Sequence, residues 1–185
     1  MEVLYVLAIT AGLRQGELLA LKWEDVNFEG ANPTLEVRRS LSKTRGRRTF
    51  VTPKSGRGRH LRLSRRAVSA LRAHRKRQLE ERVRKAGLWE DHGLVFPSDV
   101  GTPMSGRNFY RAFKIHINRA SLTQTLRFHD LRHTCATLLL KQGVNPKFVQ
   151  ELLGHADISL TLNTYSHVLP DMGGAAAGGM DVAWG

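Results

Sequence analysis

The chain has 185 residues, 41% of them hydrophobic, so it can bury a core as one domain or as one domain with an appendage. No apolar run is long enough to span a bilayer, which argues against a membrane helix and a secretory signal. Cys135 is the only cysteine and cannot form an internal disulfide, and no cluster has zinc-site spacing. This cysteine usage is typical of a protein of the reducing cytoplasm.

The formal net charge of +13 is concentrated in one segment. Residues 38–85 hold 19 of the 29 Lys and Arg but only two of the 16 Asp and Glu. That segment carries a local charge of +17, whereas the rest of the chain sums to −4. A cationic segment on a slightly acidic body is what a polyanion-binding surface requires. A solvated face or a disordered tail is the less favoured alternative, because hydrophobic positions run through the segment at structural periods.

The N-terminal half is predicted to begin with helices and to continue with strands. The apolar stripe of residues 2–11 indicates a helix that Gly12 ends, and a second helix follows over about 14–21. Residues 23–34 are rich in turn formers. Two or three strands follow in succession, over 35–41, 48–52 and 59–63, with a turn-rich loop over 53–58.

The C-terminal half is predicted to be helical. Ser64 is placed to cap a long basic helix that reaches about Lys85, with a buried side of Ala67, Val68, Leu71, Leu79 and Val83. Further helices are predicted from Ser105, from Phe128 to Gln142, after Asn145-Pro146, and over Leu160 to Tyr165. Together these elements predict an α+β fold that is mainly helical, with a small antiparallel sheet near the N-terminal half.

The last third of the chain carries a motif with chemical meaning. His129 and Arg132 are three residues apart, so on a helix they would share a face and reach the same phosphate, while His133 would point elsewhere. Leu153-Gly154-His155 follows, and Tyr165 comes ten residues after that histidine. A His-x-x-Arg pair alone is weak evidence, because most such pairs are surface or capping residues. The combination indicates a site that cleaves a phosphodiester.

A further arginine, Arg14, lies near the N-terminus in Gly12-Leu13-Arg14-Gln15-Gly16-Glu17. Glu17 is one helical turn on and could orient that guanidinium, although a plain surface salt bridge is the alternative. With the downstream motif, this order and spacing resemble the catalytic domain of the tyrosine recombinases, the phage-integrase type of site-specific DNA recombinase. Arg14 matches the first arginine of that family, and residues 125–170 match its second arginine box and nucleophile region without a gap.

The resemblance implies that double-stranded DNA is cleaved and rejoined through a 3′-phosphotyrosine on Tyr165. Tyrosine has an ordinary pKa of about 10, so its hydroxyl must lose a proton before or during attack. The resemblance implies that His129 accepts this proton. His155 is the implied hydrogen-bond donor to a non-bridging oxygen. Arg14 and Arg132 would neutralise the phosphate and the charge of the pentacoordinate transition state.

Other basic residues have implied roles near the leaving group and along the DNA. Lys54 matches the family lysine on a mobile β-hairpin, which would protonate the 5′-oxygen; phosphate contact alone is the alternative. Arg62 stands where family members often have a proline. The arginines assigned to DNA contact are Arg45, Arg47, Arg48, Arg57, Arg59 and Arg62.

Several alternatives are weaker. A phosphotyrosine stores the phosphodiester energy, so no nucleotide cofactor is expected, and the sequence has no P-loop. No metal is expected, because no carboxylate cluster suits a two-metal nuclease. A type IB topoisomerase is disfavoured by the short spacing from His155 to Tyr165, and a non-catalytic DNA-binding fragment by the filled catalytic positions. Tyr5, in the apolar stripe, and Tyr110, beside Phe109, are weaker nucleophile candidates.

The resemblance also implies how the chain is organised. Residues 1–170 match a catalytic domain without the family's N-terminal core-binding domain, as expected of a fragment or truncated product of bacterial or phage origin, acting in the cytoplasm. Residues 171–185 are rich in Gly and Ala and are expected to form a flexible tail. We expect a monomer when the protein is free and a tetramer on paired DNA sites, where the tail would dock on a neighbouring protomer.

Overall fold

The computed structural model describes residues 1–44, 46–53, 56, 58–168, 178 and 180–184. Three predicted site residues, Arg45, Lys54 and Arg57, lie outside the described residues, as does most of the predicted tail. In the part of the chain that is described, no helix is both long enough and apolar enough to cross a membrane.

Short-range sequence signals set most helix boundaries. The side chains of Ser64, Ser105 and Asn145 each accept a hydrogen bond from a backbone N–H in the first turn of the helix that follows, as predicted. Gly12 ends the first helix in a left-handed conformation. The helices are α1 (Glu2–Ala11), α2 (Gln15–Leu19), α3 (Arg65–Arg84), α4 (Gly106–Arg119), α5 (Asp130–Lys141), α6 (Pro146–Leu153) and α7 (Ile158–Tyr165).

The strands form two separate antiparallel sheets. The strands are β1 (Val26–Asn27), β2 (Thr34–Val37), β3 (Ser40–Thr44), β4 (Arg47–Val51) and β5 (Arg59–Arg62). One sheet has the order β1-β2-β5, with Leu35 opposite both Val26 and Leu61, and the other is the β3-β4 hairpin, with Leu41 opposite Phe50. The fold is therefore α+β and mainly helical, as predicted.

The single strand predicted over 35–41 is wrong, because the chain passes from one sheet to the other at Arg38 and Arg39. The cause is a buried carboxylate. Asp25 is 5% exposed, and both of its oxygens accept from the Arg39 guanidinium at 3.2 Å, with Arg38 at 3.8 Å. Asp25 and Arg39 are 14 residues apart in the sequence, and a contact between such residues does not change the hydrophobic alternation of the strand.

The predicted buried side of α3 is correct only in its first half. Ala67 and Leu71 are buried, but Leu79 and Val83 are exposed. The buried residue in the second half is Gln78, whose amide donates to the carbonyls of Leu94 and Val95 while its oxygen accepts from the Trp23 indole. These polar contacts turn the apolar side of that half towards solvent.

The core has two parts that meet beside the predicted site. The larger part packs α1 against the three-stranded sheet, α3 and α4, and includes Leu7, Leu35 and Phe113. The smaller part lies among α5, α6 and α7 and includes Tyr165. Leu152 packs against both parts, so the C-terminal end of α6 lies at their junction.

We expect Gly12→Ala to destabilise the protein more than Gly143→Ala. Both glycines follow a helix with positive φ, +60° and +76°, so alanine carries a conformational cost of about 1 kcal/mol or more at each. A Cβ at Gly12 would also lie 2.7 Å from Cδ2 of Leu153, whereas a Cβ at Gly143 would have nothing within 4 Å. Urea denaturation measures both losses, and equal losses would contradict the tight contact between α1 and α6.

Candidate active site

The structure brings five of the predicted catalytic residues to the junction of the two core parts. Arg14 precedes α2, His129 and Arg132 lie at the start of α5, His155 follows α6, and Tyr165 ends α7. Their grouping depends on the ends of four helices converging there.

Arg132 is a buried cation held by two helix ends. It is 2% exposed, and its Nη1 and Nη2 each donate at 2.6 Å, to the carbonyls of Gly12 and Leu153. These carbonyls belong to the C-terminal ends of α1 and α6, where the helix dipole is negative. Burial, reinforced by Arg14, lowers the pKa of Arg132 to about 9, so the guanidinium is charged at neutral pH.

Arg14 is oriented by Glu17, whose side chain is only 1% exposed. The Arg14 Nη1 donates to Glu17 Oε1 at 2.9 Å, and its Nη2 donates to the carbonyl of Gly154 at 3.2 Å. Burial raises the pKa of Glu17, but hydrogen bonds and charge from Arg59 and Arg14 outweigh burial and leave it below the ordinary value. Glu17 is therefore a buried, ionised carboxylate and not part of a plain surface salt bridge.

His155 is held by a buried hydroxyl. Its Nδ1 lies 2.8 Å from Oγ1 of Thr161, which is fully buried on α7. Burial, with the charges of Arg132 and Arg14, lowers the pKa of His155 to about 4. The ring is therefore neutral at pH 7 and carries one N–H to donate.

The hydroxyl of Tyr165 contacts His133, a residue that sequence reasoning missed. The oxygen lies 2.8 Å from His133 Nδ1, and Tyr165 is 4% exposed. The expectation that His133 points elsewhere is wrong: it is one turn from His129, and the two ring centroids are 4.9 Å apart. The i,i+4 spacing of the two histidines was the available signal.

Local environment also sets the protonation of these groups. Burial raises the pKa of Tyr165, although Arg132 acts in the opposite direction, so the hydroxyl keeps its proton at neutral pH. Burial lowers the pKa of His129, and the charges of His133 and Arg132 act in the same direction. The site at rest thus combines charged arginines with a protonated tyrosine and a neutral His155.

The arginines assigned to DNA contact divide into two groups. Arg47, Arg48 and Arg62 are exposed on β4 and β5. Arg59 is turned inward: its side chain is 10% exposed, and its guanidinium faces Glu17. This geometry does not fit the predicted DNA contact by Arg59, because burial and the carboxylate keep it from an external phosphate.

An open cleft adjoins the site. It has a volume of about 780 Å³, and its lining includes Arg14, Glu17 and His129. Residues of the β3-β4 hairpin and of the start of α4 also line it, among them Arg48 and Arg107. Cationic walls suit a phosphate-bearing ligand. Among the described residues, no group of three His, Cys, Asp or Glu side chains is arranged to hold a metal ion.

The other two tyrosines lie apart from this arrangement. The hydroxyl of Tyr5 is 3.1 Å from His116 Nδ1, and its ring packs near Phe113 and Phe128, as expected of a core residue. Tyr110 is exposed on α4, where the ammonium of Lys114 lies 5.5 Å from its ring centroid. Neither hydroxyl is beside the two arginines of the site.

A family model described as the phage integrase family matches residues 2–172. The chain belongs to the phage integrase family. A tyrosine recombinase XerC-like protein of Caldanaerobacter subterraneus subsp. tengcongensis is 37% identical over 183 residues, covering 92% of this chain and 46% of the relative. This chain thus spans less than half the length of that relative.

Two solved structures share the fold of this chain. The Tn1549 transposon integrase (residues 82–397), in complex with circular intermediate DNA, has a TM-score of 0.72 at 23% identity, covering 98% of this chain and 59% of that one. The XerH site-specific recombinase, bound to palindromic difH substrate in a post-cleavage complex, has a TM-score of 0.65 at 26% identity. That match covers 95% of this chain and 44% of XerH.

The low pKa of His155 predicts a loss of stability in mild acid. The pKa is about 4 in the folded chain, against an ordinary value of 6.5, so the unfolded chain binds the proton first as the pH falls. We expect the free energy of unfolding to decrease between these two pH values, and to decrease less in His155→Gln. His129 contributes in the same direction, so the dependence is reduced and not abolished. Urea denaturation across this pH range tests this, and parallel profiles for both proteins would contradict it.

Proposed function

We propose that this chain is the catalytic part of a site-specific DNA recombinase, an integrase that cleaves and rejoins DNA strands through a 3′-phosphotyrosine. One observation carries the proposal. The Tyr165 hydroxyl bonds to His133 on α5, one residue after the buried cation Arg132, whose guanidinium is fixed by the carbonyls of Gly12 and Leu153. This contact supports the proposed roles of Tyr165 as nucleophile, His133 as proton acceptor and Arg132 as preorganised cation.

The phosphate would bind to the two arginines. The described hydrogen bonds occupy only part of each guanidinium, which has five N–H groups, so the remaining N–H groups can donate to phosphate oxygens. Because Arg14 and Arg132 are already oriented, little reorganisation is needed as charge develops on the phosphorus. Neutral His155 would add one N–H to a non-bridging oxygen.

The first chemical step would be attack of the Tyr165 oxygen on phosphorus. The tyrosine proton passes to His133 Nδ1, which accepts when Nε2 carries the ring hydrogen. The bond from phosphorus to the 5′-oxygen breaks as the bond to tyrosine forms, and the 5′-oxygen takes a proton, for which Lys54 is the proposed donor. Rejoining runs these transfers in reverse, so no nucleotide cofactor or metal is included in the scheme. His129, the acceptor that the family resemblance implies, lies next to His133, with the two ring centroids 4.9 Å apart.

The proposed partner is double-stranded DNA. The cationic segment 38–85 and the exposed Arg47, Arg48 and Arg62 support phosphate contact, and Arg45 and Arg57 are included on their sequence positions. The DNA complexes of Tn1549 integrase and XerH support the same choice. From the family resemblance we also propose a free monomer, a tetramer on paired sites, and action in the cytoplasm.

We expect this protein to form a covalent adduct through Tyr165 on a nicked suicide duplex. The duplex is first selected from a randomised library by its binding to the protein. Mass spectrometry of the trapped peptide identifies the tyrosine, and Tyr165→Phe should give no adduct. Tyr110→Phe is the matched control and should be trapped normally, because Tyr110 is exposed on α4. An adduct that persists in Tyr165→Phe would refute the assignment.

We also expect His133→Gln to slow covalent trapping on the same duplex by about 100-fold or more, because a positioned proton acceptor typically contributes that much. DNA affinity should change little, since His133 faces the tyrosine and is not at the surface of the cationic segment. Single-turnover cleavage and a binding titration separate the two effects. If His129→Gln slows cleavage and His133→Gln does not, the proton acceptor has been misassigned.

A further inference from the structure

The C-terminal end of α6 is held by three arginines from three separate elements. The last carbonyls of a helix have no partner within it and need one elsewhere. The backbone N–H groups of Gly154 and His155 satisfy two of them, at 3.0 and 3.1 Å. The next three carbonyls accept from arginine side chains: Leu152 from Arg59 at 2.9 Å, Leu153 from Arg132 at 2.6 Å, and Gly154 from Arg14 at 3.2 Å.

Arg59 is the member of this set that the proposed mechanism does not use. It is the first residue of β5, and its Nη1 and Nη2 donate to Oε1 and Oε2 of Glu17 at 3.0 and 2.8 Å. Such a two-oxygen pairing is both directional and strong. Glu17 Oε1 also accepts from Arg14 Nη1, so one buried carboxylate is hydrogen-bonded to two guanidinium groups.

We propose that Arg59 is a positioning residue for DNA cleavage, which fixes Arg14 relative to the segment that carries His155. This inference rests on the recombinase function proposed above. Arg59 reaches Arg14 through Glu17, and it reaches the His155 segment through the Leu152 carbonyl. The two sides of the phosphate site are therefore joined by a residue that touches neither the phosphate nor the tyrosine.

The electrostatics of Glu17 explain why the second guanidinium is needed. When a buried carboxylate loses one of two cationic partners, it remains desolvated. Its attraction for the remaining cation is then compensated by no other partner and becomes stronger. Without Arg59, Glu17 would have Arg14 alone, and the Arg14 guanidinium would turn from the phosphate towards the carboxylate. A side chain at Gly154 would disturb the same arrangement, because its Cβ would lie 3.0 Å from Nη1 of Arg59.

The test compares Arg59→Gln with Arg119→Gln, which removes an exposed positive charge at the end of α4. We expect Arg59→Gln to slow single-turnover cleavage of the suicide duplex by about 100-fold, the effect of misplacing a catalytic group by about 1 Å. The salt dependence of its DNA affinity should match that of the wild type, because the inward guanidinium neutralises no phosphate. Arg119→Gln should cleave at the wild-type rate.

A thermodynamic cycle with Glu17→Gln separates positioning from a general loss of structure. The double variant Glu17→Gln/Arg59→Gln removes both members of the buried pair, so comparison with the two single variants shows whether Arg59 acts through Glu17. Because the residues act as a unit, the double variant should cleave no more slowly than the slower single variant. If the double variant loses cleavage rate by the product of the two single-variant losses, the residues act independently, and this result would overturn the proposal.

A final readout does not depend on cleavage. The pKa of Glu17, followed by carboxyl NMR, should rise in Arg59→Gln, because Arg59 opposes the effect of burial, and should not change in Arg119→Gln. If the wild type forms no adduct, the recombinase proposal fails, while this titration still decides whether Arg59 controls Glu17. An unchanged Glu17 pKa, or cleavage by Arg59→Gln at the wild-type rate, would overturn the positioning role.

Discussion

The site depends on one constraint: the last three carbonyls at the C-terminal end of α6, those of Leu152, Leu153 and Gly154, accept hydrogen bonds from arginine side chains. Placing a cation such as Arg132 in the protein interior costs several kcal/mol unless hydrogen bonds and opposite charge offset the desolvation. Here the carbonyl ends of α1 and α6 supply both. Because those two helix ends must lie close together, residue 12 has to be a glycine against Leu153. The packing of the two core parts and the position of the proposed phosphate site are thus set by the same contacts.

The electrostatics of the site are those of an anion-binding centre. Arg14 and Arg132 lie near enough to oppose one another, and burial of His155 beside them lowers its pKa to about 4. A phosphate bound between them would reverse these effects, since an anion favours the charged forms. In the proposed reaction, the repulsion between the two arginines would therefore be relieved by the phosphate and, still more, by its more negative transition state. Glu17 reduces the repulsion between the arginines, because its carboxylate is buried and pairs with Arg14.

Much of the fold could be predicted from local patterns. Helix starts at Ser64, Ser105 and Asn145 follow from caps, and the end of α1 follows from Gly12, because these signals act within one turn. The predictions that proved wrong depend on distant partners. The break between β2 and β3 depends on Asp25, and the solvent-facing second half of α3 depends on polar contacts made by Gln78.

The same division applies to the site. The order and spacing of Arg14, His129, Arg132, His155 and Tyr165 carry the resemblance to the family, and the match of the family model confirms it. Which side chains touch was decided only by the tertiary structure. His133 meets Tyr165 across 32 positions, and Arg59 meets Glu17 across 42 and Leu152 across 93. Such contacts depend on how helix ends and strands pack together, and neither charge nor periodicity along the chain specifies whether an arginine faces DNA or a buried carboxylate.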